Sequence, residues 1–300
     1  MPIKTPFRME GDRFVTVAGK QMGVRAYLKH EVGFPASTLA AIPDSDILLG
    51  GAPLPHRYRL SLGDEISVFL GDAPSPPPAV FPHATVLWED GHLLAVAKPH
   101  GVATHPSLGH YTGTLSDFVS AHLGGRCVRP INRLDRDTSG IVLFAKHRLM
   151  AALLGEEWQK GRVEKTYLAL TQTPPSPPRG TVSLPIGRKE GSIMEREVRR
   201  DGEDALTEYE LLPSGLLRLC PKTGRTHQLR VHMAALGHPL LGDPLYGAPS
   251  PFLARQALHA ARLSFVHPMT GEALTLTCPL PDDMRRAHAL LYPTRILEES

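Results

Sequence analysis

Cysteine is scarce: Cys127, Cys220 and Cys278 are the three in 300 residues, they lie far apart, and none forms a CxxC pair. That spacing argues against a disulfide framework and against a thiolate zinc site, and leaves them as reduced thiols. A run of about 18 apolar residues is also missing, and the opening MPIKTPFRMEGDRF has no apolar h-region. Neither membrane spanning nor export is supported, and a cytoplasmic location is expected. No HExxH pattern occurs, and His227 and His232 stand five apart rather than at the spacing of four that stacks two ligands on one helix face. No metal and no organic cofactor are expected. Excess charge is small, +3 formally with a pI near 8.8, so any surface suited to a polyanion must be local. What remains is ordinary for a folded protein, with 42% hydrophobic and 21% charged residues. The length suffices for one large domain and one small one.

The clearest break is GDAPSPPPAVFPHA at 71–84, where five prolines remove amide donors and favour an extended spacer. It divides the chain into an N-terminal module at 1–73, a linker at 74–84 and a larger domain at 85–300. The first part reads as a short helix around 23–32, a second at 36–42, the turn-rich LLGGAPLPHRYRL and an apolar strand at 65–70. Order and spacing resemble an S4-type RNA-binding module, a small α/β unit. Between Gly23 and Leu54, however, the cations are Arg25 and Lys29, set against Glu31, Asp44 and Asp46. A phosphate-gripping surface needs more, so a structural cap and an RNA-binding role stand side by side.

Beyond the linker, two apolar runs flank Asp90-Gly91, a dipeptide suited to a hairpin. A helix at 114–123 closes on Gly124-Gly125, a buried strand fills 141–146, and a helix at 148–160 carries Leu149, Leu153 and Trp158. Strands at 165–170 and 205–212 follow, with PPSPP at 174–178 as a surface connection. The expected class is α+β, a mixed and mainly antiparallel central sheet flanked by helices.

Three segments concentrate polar chemistry. In NRLDRDTSG, 132–140, Arg133 and Arg136 lie close to Asp135 in sequence, and nearby positive charge favours an ionised carboxylate fit to act as a nucleophile. In EKTYLAL, alternation puts Lys165 and Tyr167 on one face of a strand. The third runs KTGRTHQLRVHM and on through GHP to GDPLYG; a helix over 226–236 is predicted, with Leu229, Met233 and Leu236 as its inward stripe and Arg230 beside it. Taken singly, each residue has a plain alternative: a salt-bridged loop aspartate, a packed tyrosine, a solvated arginine.

Taken together, RLDRDTSGIVLFAK, KTYLAL and TGRTHQLRVHMAALGHPLLGDPLYG resemble the motifs of the pseudouridine synthases of the large rRNA and tRNA branch often called the RluA family. The similarity runs in order from about Val86 to Pro281, and Asn132 stands where the family commonly has His. It implies the pseudouridine synthase fold and an isomerase that converts uridine to pseudouridine in rRNA or tRNA. Asp135 takes the position of the nucleophile, Arg230 pairs with it, and Tyr167 lines the uracil pocket and stacks on the base. Arg133 helps extrude the base, and Arg136, Lys165, Arg225, His227 and Leu229 complete the expected substrate-binding set. A monomer is implied, and His259 in the closing strands is structural. Two competitors remain: an RNA-binding or ribosome-assembly factor without turnover, and a retaining glycosidase or nucleoside hydrolase with Asp137 as second carboxylate.

Overall fold

The computed structural model of the protein describes residues 3–72, 76–106 and 111–297. Parts of the expected 1–73, 74–84 and 85–300 segments, namely 1–2, 73–75, 107–110 and 298–300, lie outside the described residues.

In the N-terminal part, β1 (Phe7–Glu10), β2 (Arg13–Val17), β3 (Ile47–Leu49), β4 (Ala52–Pro53) and β5 (Glu65–Phe69) form an antiparallel sheet in the order β1-β2-β5-β3-β4. Helix α1 (Val24–Tyr27), which widens into a looser turn at Leu28–Val32, and α2 (Ala36–Ala41) bury Tyr27, Leu28, Val32 and Leu39 into the core that the sheet shares. The helices and β5 match the sequence reading. Strands β1 and β2 were not foreseen, because four or five residues of alternation are too short to stand out.

The larger part contains β6 (Thr85–Glu89), β7 (Leu93–Lys98), α3 (Leu115–His122), β8 (Arg129–Pro130), β9 (Ser139–Ala145), α4 (Arg148–Gln159) and β10 (Glu164–Ala169). It continues with β11 (Arg179–Ser183), β12 (Ile186–Arg188), β13 (Arg196–Val198), β14 (Leu206–Leu211), β15 (Leu217–Pro221), α5 (Gln228–Ala235), β16 (Leu258–Val266), β17 (Ala273–Thr277) and α6 (Asp282–Leu291). The main sheet runs β11-β14-β15-β10-β16-β9-β7-β6, with β17 on β16 and β8 on β9. Its pairings are antiparallel except β16 with β9.

Strand β9 is buried along its whole length, which explains its unbroken apolar sequence: both faces are covered. Alternate residues divide between two cores. Leu93, Ala95, Ile141, Leu143 and Ala145 join Leu149, Met150 and Leu153 of α4 and the N-terminal Phe14, Leu28 and Ile47 in one cluster. Leu94, Val96, Val142 and Phe144 join Leu115 and Val119 of α3 in another. Helix α3 starts at a capping box in which Thr114 and Asp117 satisfy each other's amides.

The N-terminal part shares that first core and is also held electrostatically. Arg126 pairs with Asp12 at 2.8 Å, Arg148 reaches the Ala41 and Gly71 carbonyls at 2.9 and 2.7 Å, and Arg129 and Arg148 both pair with Asp72. Three of the module's eight lysines and arginines face its own carboxylates: Arg8 with Glu10 and Glu65, Lys20 with Glu31, Arg25 with Asp44.

Helix α5 begins at Gln228 rather than 226, because His227 sits in the left-handed region at φ 58°. The predicted inward stripe also needs correction. Leu229 and Met233 are buried but Leu236, beyond the last turn, is 37% exposed. Arg230 and His232 are buried in its place.

At the turn between β6 and β7 a histidine cluster is buried beside α4. His147 caps α4 by accepting the Met150 amide at 3.2 Å on Nδ1, so its Nε2 carries the proton and donates to His92 Nδ1 at 2.9 Å. Burial pushes His147 down to about 3 and lowers His92 also. Asp90, which accepts the His92 and Leu93 amides, is held at about 2 despite its burial by those bonds and by His267. Rings whose folded pKa lies below the unfolded 6.5 stabilise the fold above that pH and lose the contribution as pH falls through the gap. We expect the thermal midpoint to drop from about pH 6.5 to about pH 4.5, a window above the Asp90 titration. His147→Asn keeps a cap acceptor and removes the titrating ring, so its melting curves should show a smaller slope. An unchanged slope would exclude the cluster as the cause.

Candidate active site

The 131–139 segment leaves the short strand β8 and re-enters the sheet at β9, and Gly140 makes that re-entry possible. An added Cβ there would lie 2.2 Å from the Ala260 carbonyl, and its φ is +117°, so only glycine lets β9 approach β16 this closely. Groups distant in sequence then suspend the loop. Asn132 bonds to the Ile141 carbonyl and Leu143 amide at 3.1 and 2.8 Å, and Thr104 brackets the main chain of Leu134 at 3.1 and 3.2 Å. From below, Lys98 Nζ donates to the Pro99, Val102 and Arg136 carbonyls at 2.8, 2.7 and 2.7 Å. Burial pushes Lys98 down to about 7, with Asp137 and Asp135 opposing; three carbonyl acceptors require the three N–H bonds of its ammonium form. Arg255, held by Asp283 of α6 at 2.8 and 3.0 Å, donates to the Asp137 carbonyl at 3.1 Å.

So fixed, the loop turns Asp135 into a cavity of about 310 Å³, at the small end for ligand pockets. Arg230 of α5 donates from Nη1 to Asp135 Oδ2 at 3.2 Å. Its Nε and Nη2 make a bidentate pair with Asp243 at 2.7 and 2.8 Å. Arg230 is 4% exposed and Asp243 fully buried, whereas the Asp135 side chain is 26% exposed. Burial opposes both inner charges, but their mutual bonds outweigh it, raising Arg230 and lowering Asp243. The Leu245 and Tyr246 amides also donate to Asp243, at 2.9 and 3.2 Å, and the Tyr246 ring lies 5.0 Å from the guanidinium. The carboxylate in the cavity is therefore backed by a guanidinium that is itself held ionised from behind.

Of the expected residues, Arg133, Asp135, Lys165, Tyr167, Arg225, His227, Leu229 and Arg230 line this cavity. Tyr167 is raised above its usual value by burial and by the charge of Asp135, so its hydroxyl stays protonated. Lys165, from the same strand but across a bulge between Thr166 and Tyr167, lies 5.5 Å from the Trp158 ring centre and 3.4 Å from the Thr223 carbonyl. Arg225 bonds to the Asp204 carbonyl at 3.0 Å and pairs with Glu203. Arg136 is the exception: it is exposed, pairs with Asp137 at 3.0 Å, and lines a separate cavity. The turn sends it to the other side of the loop, so its proximity to Asp135 in sequence is not proximity to the pocket. Gln228 also lines the pocket without having been foreseen. It accepts from Thr223 and the Arg225 amide at 2.7 and 3.0 Å and donates to Leu206 and Thr207 at 3.0 Å each, which fixes the 223–228 turn.

With this geometry in place, comparison with known proteins is informative. A family model described as RNA pseudouridylate synthase matches residues 92–235. The chain is 43% identical over 210 residues to the uncharacterized RNA pseudouridine synthase YhcT of Bacillus subtilis, covering 67% of this chain and 70% of that one. It is 39% identical over 232 residues to ribosomal large subunit pseudouridine synthase D of Nitrosomonas europaea, covering 72% and 66%. Among solved structures, human RNA pseudouridylate synthase domain containing 1 superposes with a TM-score of 0.56 at 29% identity, covering 68% of this chain and 86% of that one.

The buried pair makes a stability prediction. Asp243→Asn keeps acceptors for the two amides but leaves the Arg230 charge without its buried counterion, and should cost about 3–5 kcal/mol of unfolding free energy in urea. Adding Arg230→Met, which removes the orphaned charge, should recover a large part of that loss. A single variant as stable as wild type would mean that solvent or Asp135 neutralises Arg230.

Proposed function

The chain belongs to the RNA pseudouridine synthase family, in its RluA branch, and is an isomerase of RNA uridine; from there we propose that it modifies rRNA or tRNA with Asp135 as nucleophile. The observation that carries this reading is the makeup of the cavity. Among the described residues that line it, Asp135 is the sole carboxylate, surrounded by Arg133, Lys165, Arg225 and Arg230. Arg133, exposed at the rim, suits an RNA backbone, and one carboxylate suits attack at an anomeric carbon without a second group to activate water.

The reaction breaks the bond from C1′ to N1, rotates the freed uracil, and joins C1′ to C5; the C5 proton leaves and N1 gains one. Asp135, hydrogen-bonded by Arg230, attacks C1′ or stabilises the sugar as the bond breaks. Tyr167, neutral and half-buried, supports the flipped base. Arg133, exposed at the rim, fills the space the base leaves, at an unstacking cost of a few kcal/mol. Lys165, Arg225, His227 and Leu229 shape the remaining contacts, while Arg136 meets RNA from outside the pocket. Ribosomal RNA is favoured by the resemblance to a large-subunit enzyme. We read 1–73 as a structural cap on the catalytic part, 85–300, a reading supported by the core and the ion pairs that join the two.

In cells lacking the protein, mapping pseudouridine in total RNA should show lost sites that wild type restores and Asp135→Asn does not. Restoration by Asp135→Asn would remove the nucleophile assignment, and lost sites outside rRNA and tRNA would remove the substrate class.

A further inference from the structure

His227 has so far only been placed on the pocket wall, yet its backbone is unusual. It is the one non-glycine residue with positive φ among the described residues, and its Nε2 lies 3.8 Å from Asp135 Oδ2. Its Nδ1 is 2.8 Å from the Tyr246 hydroxyl, which accepts the Arg196 main-chain N–H at 2.8 Å. Arg196 N–H can only donate, and among the described residues the hydroxyl makes no other hydrogen bond. With one lone pair taken by Arg196, the phenol proton is available to Nδ1, and the carboxylate facing Nε2 favours that direction. A neutral imidazole that accepts at Nδ1 carries its proton on Nε2, the nitrogen facing the carboxylate. Both ends of the ring call for the same tautomer.

Asp135 needs such a donor. Arg230 spends Nε and Nη2 on Asp243 and offers Asp135 a single bond from Nη1, about which the carboxylate can still swing. We propose that Tyr246, backed by the Arg196 main chain of β13, locks His227 as the Nε2–H tautomer, and that this N–H is a second, uncharged donor orienting the Asp135 carboxylate. Both donors face Oδ2, which leaves Oδ1 to attack the sugar. At 3.8 Å the contact is electrostatic rather than a formed hydrogen bond, and it shortens as the carboxylate takes its reacting position. His227 is faced by Asp135, Asp243, Arg230, Arg196 and Tyr246; burial, with the two arginines, lowers its proton affinity against the two carboxylates. The wild-type ring is thus neutral at neutral pH. All of this rests on Asp135 being the reacting carboxylate.

The test measures tritium released from total RNA labelled at uridine C5, taken from cells lacking the protein. Tyr246→Phe keeps the ring against Arg230 and removes only the hydroxyl. Its rate at saturating RNA should fall about tenfold near pH 8, the loss of one neutral hydrogen bond, with the half-saturating RNA concentration unchanged. The rate should recover toward wild type as the pH is lowered and a second ring proton restores the Nε2–H. His227→Asn tolerates the left-handed backbone but is too short to reach; it should be slow at every pH, and adding Tyr246→Phe should slow it no further. In the wild-type protein, nitrogen-15 spectra should show a protonated Nε2 and an unprotonated Nδ1 for His227, which checks the lock even if a variant fails to fold. The opposite tautomer, a wild-type rate for Tyr246→Phe, or losses that are pH-independent and additive would each overturn the proposal. Asp135→Asn is assayed alongside: if it turns over, the premise fails, whereas an inert Asp135→Asn beside a wild-type-like Tyr246→Phe removes the tautomer lock alone.

Discussion

The buried pair of Arg230 and Asp243 is the constraint on which the site depends. A carboxylate facing a partly dry pocket is oriented by a fixed opposite charge, and a fixed arginine inside a protein needs a counterion of its own. Asp243 meets that need at full burial, and its two backbone donors keep it in place without another cation. The helix bearing Arg230 must consequently pack so that a guanidinium, and not a leucine, occupies the inner face of its first turn. Leu229 and Met233 on that helix, packed with Leu217 and Leu219 of the sheet, supply the apolar area that offsets the desolvation.

The loop bearing Asp135 is the complementary half, held at its main chain by residues outside it and at its start by the Asn132 side chain. Lys98, Thr104 and Arg255 each donate to a loop carbonyl, so the positions they fix are set by strand ends and by the anchorage to α6, which are rigid. A loop carried in this way keeps its aspartate in one place while Arg133 stays exposed at the rim.

How much of this was legible in the sequence follows from the range of the interactions. Strands such as β9 and helices such as α3 and α4 carry local signals, an unbroken apolar run or a cap followed by a periodic stripe, and these are read directly. The pairing of Asp135 with Arg230, 95 residues apart, came only through resemblance, since nothing in the spacing announces it. Asp243 and Lys98 were missed as site residues because a buried, satisfied charge looks in sequence like any surface charge. Arg136 was misplaced for the converse reason: neighbours on a tight turn point to opposite sides, and sequence distance hides that. Leu236 failed because α5 ends at Ala235, so the periodicity was extended one residue past the helix.

The same turn bears on the choice between isomerase and hydrolase. Asp137 follows Asp135 by two residues and would suit a second carboxylate if the loop were extended. In the structure it pairs with Arg136 and borders another cavity, and Asp243, the other nearby acid, is committed to Arg230. Among the described residues lining the pocket there is no second carboxylate to activate an entering water. In the reaction proposed above, a uracil freed there would stay against Tyr167, with its C5 carbon the nucleophile at hand. A pocket built on one carboxylate thus favours rejoining the base to the sugar over releasing it, and the chemistry follows from what the loop turns away as much as from what it presents.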